Sequence, residues 1–145
     1  MELDPRGTAA GIVFRRLDAD GDRRRAARLF PHCALHDHDG TCVWYGLCDL
    51  TAVDTRGLAA TAVVRSVGPT TARLCGLAVS APDAGRRLGR RLVCEVADRL
   101  RASGVEDVTA PTALDDRVGG LLTELGFTAR APSRDRGAGW LWLPL

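Results

Sequence analysis

The stretch Leu77-Ala78-Val79-Ser80-Ala81-Pro82-Asp83-Ala84-Gly85-Arg86-Arg87-Leu88-Gly89-Arg90-Arg91-Leu92 decides how this chain is read. Leu77 to Val79 closes an apolar strand, and Pro82 marks a short turn. Gly85 and Gly89 are expected in a loop whose backbone can approach a ligand closely. From about Leu88 the apolar residues fall at Leu88, Leu92, Val96 and Leu100, with Val93 and Ala97 beside them. That is the spacing of an amphipathic helix, and it runs to Ser103-Gly104. A strand, a glycine loop and a helix N-terminus in series point backbone N–H groups outward at the positive end of a helix dipole. Arg86, Arg87, Arg90 and Arg91 crowd the same stretch. The expected guest carries phosphate, held by Gly85, Arg86, Arg87, Leu88, Gly89 and Arg90. The plain alternative is a solvated helix face; the preceding strand and the glycines favour the phosphate.

Working outward, the 145 residues suit one domain, 1–145, with residues 1–10 as a flexible tail. The chain is 46% apolar and 26% charged, a globular balance. Its net charge of +2 gives no reason to expect a nucleic-acid partner. All 20 basic residues are arginine, and there is no Lys, Asn or Gln. GC-rich codon usage accounts for that bias, but the chemistry follows regardless: no lysine Schiff base can form and no side-chain amide can orient a substrate. Five cysteines, an odd number with Cys75 and Cys94 in apolar segments, fit reduced thiols rather than a disulfide framework. With no signal peptide and no apolar run near membrane length, a soluble cytoplasmic protein is expected.

Periodicity places strands at Ile12 to Leu17, Val43 to Val53, Leu58 to Val67, Ala72 to Val79, Val105 to Ala110, Phe127 to Arg130 and Trp140 to Leu143. Helices are expected at Arg23 to Phe30, from about Leu88, and at Asp115 to Leu125, with a further short one within His32 to Thr41. Gly76, in the middle of a strand, suggests a bulge or a close backbone approach.

The strand–loop–helix around Gly85 to Gly89 resembles the GNAT acetyltransferase superfamily, whose members hold the acetyl-CoA pyrophosphate on the pattern [R/Q]-x-x-G-x-[G/A]. Leu125-Gly126-Phe127 resembles the end of a second family motif, N-x-x-A-x-x-x-Y-x-x-L-G-F. The resemblance covers about Ile12 to Leu143. It departs from the family at Ala84 and Arg87 in the loop, at Asp115 where Asn is common, and at Leu122 where the thiolate-protonating tyrosine often stands. Arg73 stands about where some members carry a glutamate base. The resemblance implies an α/β fold with a mixed, mainly antiparallel sheet of six to seven strands flanked by about four helices. It implies acyl transfer from acetyl-CoA or another acyl-CoA to an amine of a small molecule. It also implies that the backbone of Leu77, Ala78 and Val79 pairs with the pantetheine arm, and it makes Asp115 a cofactor-side residue. An acyl carrier protein as donor, and a non-catalytic acyl-CoA-binding domain, are the rival readings. A homodimer is a further expectation.

Four residues are candidates for the chemistry itself. His36 and His38 lie in His32-Cys33-Ala34-Leu35-His36-Asp37-His38-Asp39, the densest titratable cluster of the chain. Histidines two apart match no standard metal motif, so no metal is expected. By the resemblance this segment overhangs the acceptor pocket, where a histidine near neutral pKa could take the amine proton. Tyr45, the only tyrosine, could replace the missing acid. Cys75 is a nucleophile only if a neighbour lowers its pKa. The plain readings are a polar surface loop, strand packing and a core thiol. Trp44, Trp140 and Trp142 are expected as core or interface aromatics.

Overall fold

The computed structural model describes residues 11–29, 42–49, 58–79, 85–130 and 139–145. Seven strands form one sheet: β1 Ile12–Arg16, β2 Cys42–Asp49, β3 Leu58–Ser66, β4 Thr71–Val79, β5 Asp107–Pro111, β6 Thr128–Arg130 and β7 Trp140–Pro144. Their order is β1-β2-β3-β4-β5-β7-β6. Every neighbouring pair is antiparallel except β4 with β5. Among the described residues there are four helices: α1 Asp20–Ala27, α2 Gly85–Ala102, α3 Thr112–Arg117 and α4 Leu121–Glu124; the further short helix expected within His32 to Thr41 lies outside them. This is the mixed, mainly antiparallel α/β architecture expected.

The two faces of the sheet bury different residues. Tyr45, Leu47, Ala60, Ala62, Val64, Ala72, Leu74 and Val108 point to one face, where Leu88, Leu92, Val93, Val96 and Leu100 of α2 cover them. Leu114, Leu121, Leu122 and Phe127 join the same core. Trp44, Cys48, Leu58 and Val63 point to the other face and pack with Leu17 and Ala26 at α1. β3 is buried on both sides, which is why it reads as a nearly continuous apolar run. Its one polar residue there, Thr61, donates its hydroxyl proton to the Tyr45 carbonyl at 2.9 Å.

Helix ends explain one motif. Gly126 has φ +105, the Gly126 N–H bonds Thr123 O, and the Phe127 N–H bonds Leu122 O. The same pair of bonds closes α2 at Gly104, φ +95, where the Val105 N–H reaches Leu100 O. This is the glycine-terminated helix cap in which a left-handed residue satisfies the last carbonyls. Leu125-Gly126-Phe127 is therefore a stop signal that turns Phe127 into the core, where it is 2% exposed.

Several boundaries differ from the sequence reading: α1, expected over Arg23 to Phe30, spans Asp20–Ala27, and β5, expected from Val105 to Ala110, spans Asp107–Pro111. α2 begins at Gly85, three residues earlier than its apolar period suggested, because the first turn needs no buried side chain and no internal N–H partner. The single helix expected over Asp115 to Leu125 is two, α3 and α4, broken at Gly119-Gly120.

Candidate functional site

β4 is the element that makes a site. Along one edge it pairs with β3 from Ala72 to Val79, and along the other it pairs with β5 at only three positions. Those are Thr71 with Asp107, Ala72 with Val108 and Arg73 with Thr109. Beyond Arg73 no described strand continues the pairing, although β4 runs six residues further, about 20 Å at strand rise. Backbone donors and acceptors along that edge are strong groups that need partners. The register with β3 also shifts between Val63 and Val64, so Cys75 opposes no residue and bulges. Gly76 beside it was the legible trace of this.

β4 points towards the start of α2. The first turn of α2 contains no acidic residue, so the positive end of its dipole is not offset locally. Gly85, Arg86, Arg87, Leu88, Gly89 and Arg90 all lie within the helix rather than in a loop before it. Arg87 is exposed and Leu88 is buried in the core. Gly89 has a packing role: a Cβ there would meet Leu121 Cδ2 at 2.6 Å. Arg90 and Arg91 part rather than crowd one spot. Arg90 reaches Glu124 at 3.5 Å on the surface. Arg91 turns inward, is 6% exposed and donates to the Ile12 carbonyl at 3.0 Å.

The candidate residues that are described do not form one cluster. Tyr45 faces the α2 side, stacked on Phe14 with ring centroids 5.4 Å apart. Burial raises its pKa, against a smaller lowering by Arg16. Cys75 packs against the core on the opposite side of the sheet, with its thiol donating to the Arg73 carbonyl at 3.7 Å. Burial also raises the Cys75 pKa, and nearby Cys42 adds to it. It is therefore a protonated thiol near neutral pH, the opposite of an activated nucleophile. Asp115 is 8% exposed, and both its oxygens are engaged. Oδ1 accepts from the Leu122 N–H at 2.6 Å and Oδ2 from the Thr123 hydroxyl at 2.5 Å, which caps α4. His36 and His38 lie outside the described residues.

Sequence reasoning missed a pairing at the fork of β4 and β5. The Arg73 guanidinium lies over the Trp140 ring, 4.5 Å from its centroid. The signal was weak because β7 reaches β5 only through a non-sequential pairing.

Solved structures match this architecture closely. One, from Desulfovibrio desulfuricans and described as an acetyltransferase of the GNAT family, is 22% identical with a TM-score of 0.67. The alignment covers 92% of this chain and 98% of that one. The chain has the GNAT fold. The ribosomal-protein-S18-alanine N-acetyltransferase of Escherichia coli is 22% identical over 92% of this chain and 93% of its own, with a TM-score of 0.66. A Bacillus subtilis acetyltransferase in complex with CoA is 14% identical over 92% and 99%, with a TM-score of 0.68. No protein-family model and no curated protein sequence matches the chain. Among the described residues of this GNAT fold, no helix is long and apolar enough to cross a membrane. No group of three or more His, Cys, Asp or Glu among them could hold a metal ion.

Proposed function

We propose that this chain transfers an acyl group, acetyl in the first instance, from a CoA thioester to the amine of a small molecule. The observation that carries the reading is the fork: β4 and β5 part after Arg73 and Thr109, leaving a β4 edge that leads to the start of α2. Neighbours of the same fold include an acetyltransferase in complex with CoA. The unpaired β4 edge around Leu77, Ala78 and Val79 suits an extended pantetheine arm, whose amides need backbone partners. The N-terminal turns of α2, with Arg87 exposed beside them, suit the pyrophosphate.

The amine nitrogen attacks the thioester carbonyl carbon, the N–C bond forms and the C–S bond breaks. The thiolate leaves with the electron pair and is protonated, while the ammonium proton passes to solvent or to a histidine of the His36-Asp37-His38 segment. The described residues place no acid beside the bulge, since Tyr45 faces the opposite core. Holding the two reactants together therefore supplies most of the rate, and effective molarity alone can contribute about 7–11 kcal/mol. Backbone N–H groups of the β4 edge polarise the carbonyl oxygen.

Thermal unfolding with and without CoA tests this. A ligand at a hundred times its Kd stabilises the fold by about 2.7 kcal/mol. The Arg87→Glu variant separates binding from folding. A carboxylate near a helix N-terminus favours the helix by about 0.3–1 kcal/mol yet repels a phosphate. The expected result is an intact or raised melting temperature with the CoA shift removed. No CoA shift in the wild-type chain, with acyl transfer only from an acyl carrier protein, would replace CoA as donor.

A further inference from the structure

The α2 side of the sheet is filled by core residues. The opposite side, at the fork, carries a row of side chains in cross-strand register: Arg65 on β3, Arg73 on β4, Thr109 on β5 and Trp142 on β7. Arg73 is half-buried, and its Nε is enclosed without a hydrogen-bond partner. The Thr109 hydroxyl, its register partner, is likewise enclosed and unpartnered. No ion pair engages Arg73 among the described residues. The acidic side chain on that face is Asp107, opposite Thr71, and it forms no salt bridge with Arg73. Trp140 covers one face of the guanidinium. With Nε enclosed, the two terminal NH2 groups are what an anion can reach, and end-on they also bind a carboxylate through two parallel hydrogen bonds.

We propose that the acceptor amine also bears a carboxylate, and that Arg73, stacked on Trp140, is the specificity-determining residue that binds it. This rests on the acyl-transfer reading: a thioester lying along β4 with its phosphates at the start of α2 directs its acyl end towards the fork. Three observations agree. The fork starts at Arg73 and Thr109, so the inner end of anything lying along the β4 edge comes to Arg73. Arg65, exposed in the next position of the row, adds attraction for an anion. The same cationic setting disfavours protonation of a nearby amine, so it supplies the neutral nucleophile without a dedicated base. A planar fork on one edge suits a planar carboxylate.

The test offers matched acceptors to the full chain with acetyl-CoA and follows thiol release. The probes are alanine, leucine, phenylalanine, glutamate, β-alanine and γ-aminobutyrate, each as free acid and as primary amide. At least one free acid should exceed its amide in kcat/KM by about tenfold or more, the scale of a charge-assisted hydrogen bond. Arg73→Leu should erase that preference mainly through KM, with kcat within about threefold, and Arg73→Lys should restore part of it. The CoA-induced thermal shift should be the same in all three proteins, which also shows that the variants fold. A CoA shift with every amide used as well as its acid overturns this inference and leaves the acyl-transfer reading standing. A preference that survives Arg73→Leu overturns it as well. If CoA gives no shift but the free acids still stabilise wild type and not Arg73→Leu, the carboxylate site stands and the acyl-transfer reading falls.

Discussion

A methyl group added at Gly89 would lie 2.6 Å from Cδ2 of Leu121, and Leu121 is 1% exposed. Alanine gains up to about 1 kcal/mol of helix propensity over glycine. Overpacking a closed core costs about 1–3 kcal/mol. The steric term should win, so Gly89→Ala should lower stability in urea by about 1 kcal/mol, and a double-mutant cycle with Leu121→Ala, itself costing about 2–5 kcal/mol, should show a favourable coupling between the two changes. An unchanged midpoint would mean that Leu121 has room to turn. Asp115 is the second decisive residue. Asp115→Ala leaves the buried Leu122 N–H and the Thr123 hydroxyl without acceptors, which costs about 1–3 kcal/mol for the buried donor. Thr123→Val removes only the hydroxyl and should cost less. Equal losses would show that the cap on Leu122 contributes nothing.

At the scale of elements, β4 joins a paired edge, a bulge and an open edge in nine residues. If the open edge takes the pantetheine arm, CoA should slow amide exchange at residues 75–79 and in the first turn of α2. β1, on the far side of the sheet, should be unaffected. Protection confined to β1 and β2 would put the ligand elsewhere. Most elements were legible in the sequence, because strand alternation and the Leu88, Leu92, Val96, Leu100 spacing are set by which side is buried. The bulge was legible only through Gly76, since a bulge is a relation between two strands. The capping role of Asp115 was hidden because its partner lies seven residues on, across a break at Gly119-Gly120. Arg91 resembles its neighbours in sequence, yet it turns inward, because its target is the carbonyl of Ile12, 79 residues away. The stack of Arg73 on Trp140 was hidden for the same reason. The arginines at the start of α2 were legible as a group, but Arg90 and Arg91 take different surroundings, one reaching Glu124 on the surface and the other the Ile12 carbonyl inside.

For the whole molecule, pH reports burial. Cys48 and Cys75 are raised above the usual 9.0 and Tyr45 above 10.0, each chiefly by burial. Above pH 9 the unfolded chain releases protons that the folded chain keeps. The unfolded state then binds fewer protons, so stability is fully present below about pH 9 and falls as pH rises. Urea midpoints between pH 8 and pH 11 should decline, and Tyr45→Phe should flatten the decline at its upper end. A midpoint constant to pH 11 would mean that these groups titrate as they do in the unfolded chain. The narrow seam between β4 and β5 bears on the order of assembly. β2, β3 and β4 pair with their neighbours through short connections, so their contacts form early. β5, β7 and β6 are attached to them by three register pairs and by the core beneath α2. This C-terminal arm should dock last and open first, as a separate cooperative unit with a lower opening free energy than the whole. Native-state exchange in low urea should show β5 and β7 amides released together before those of β3. A single opening event for all strands would refute a two-part molecule. A ligand lying in the seam would touch both parts, and so would act as the fastener between them.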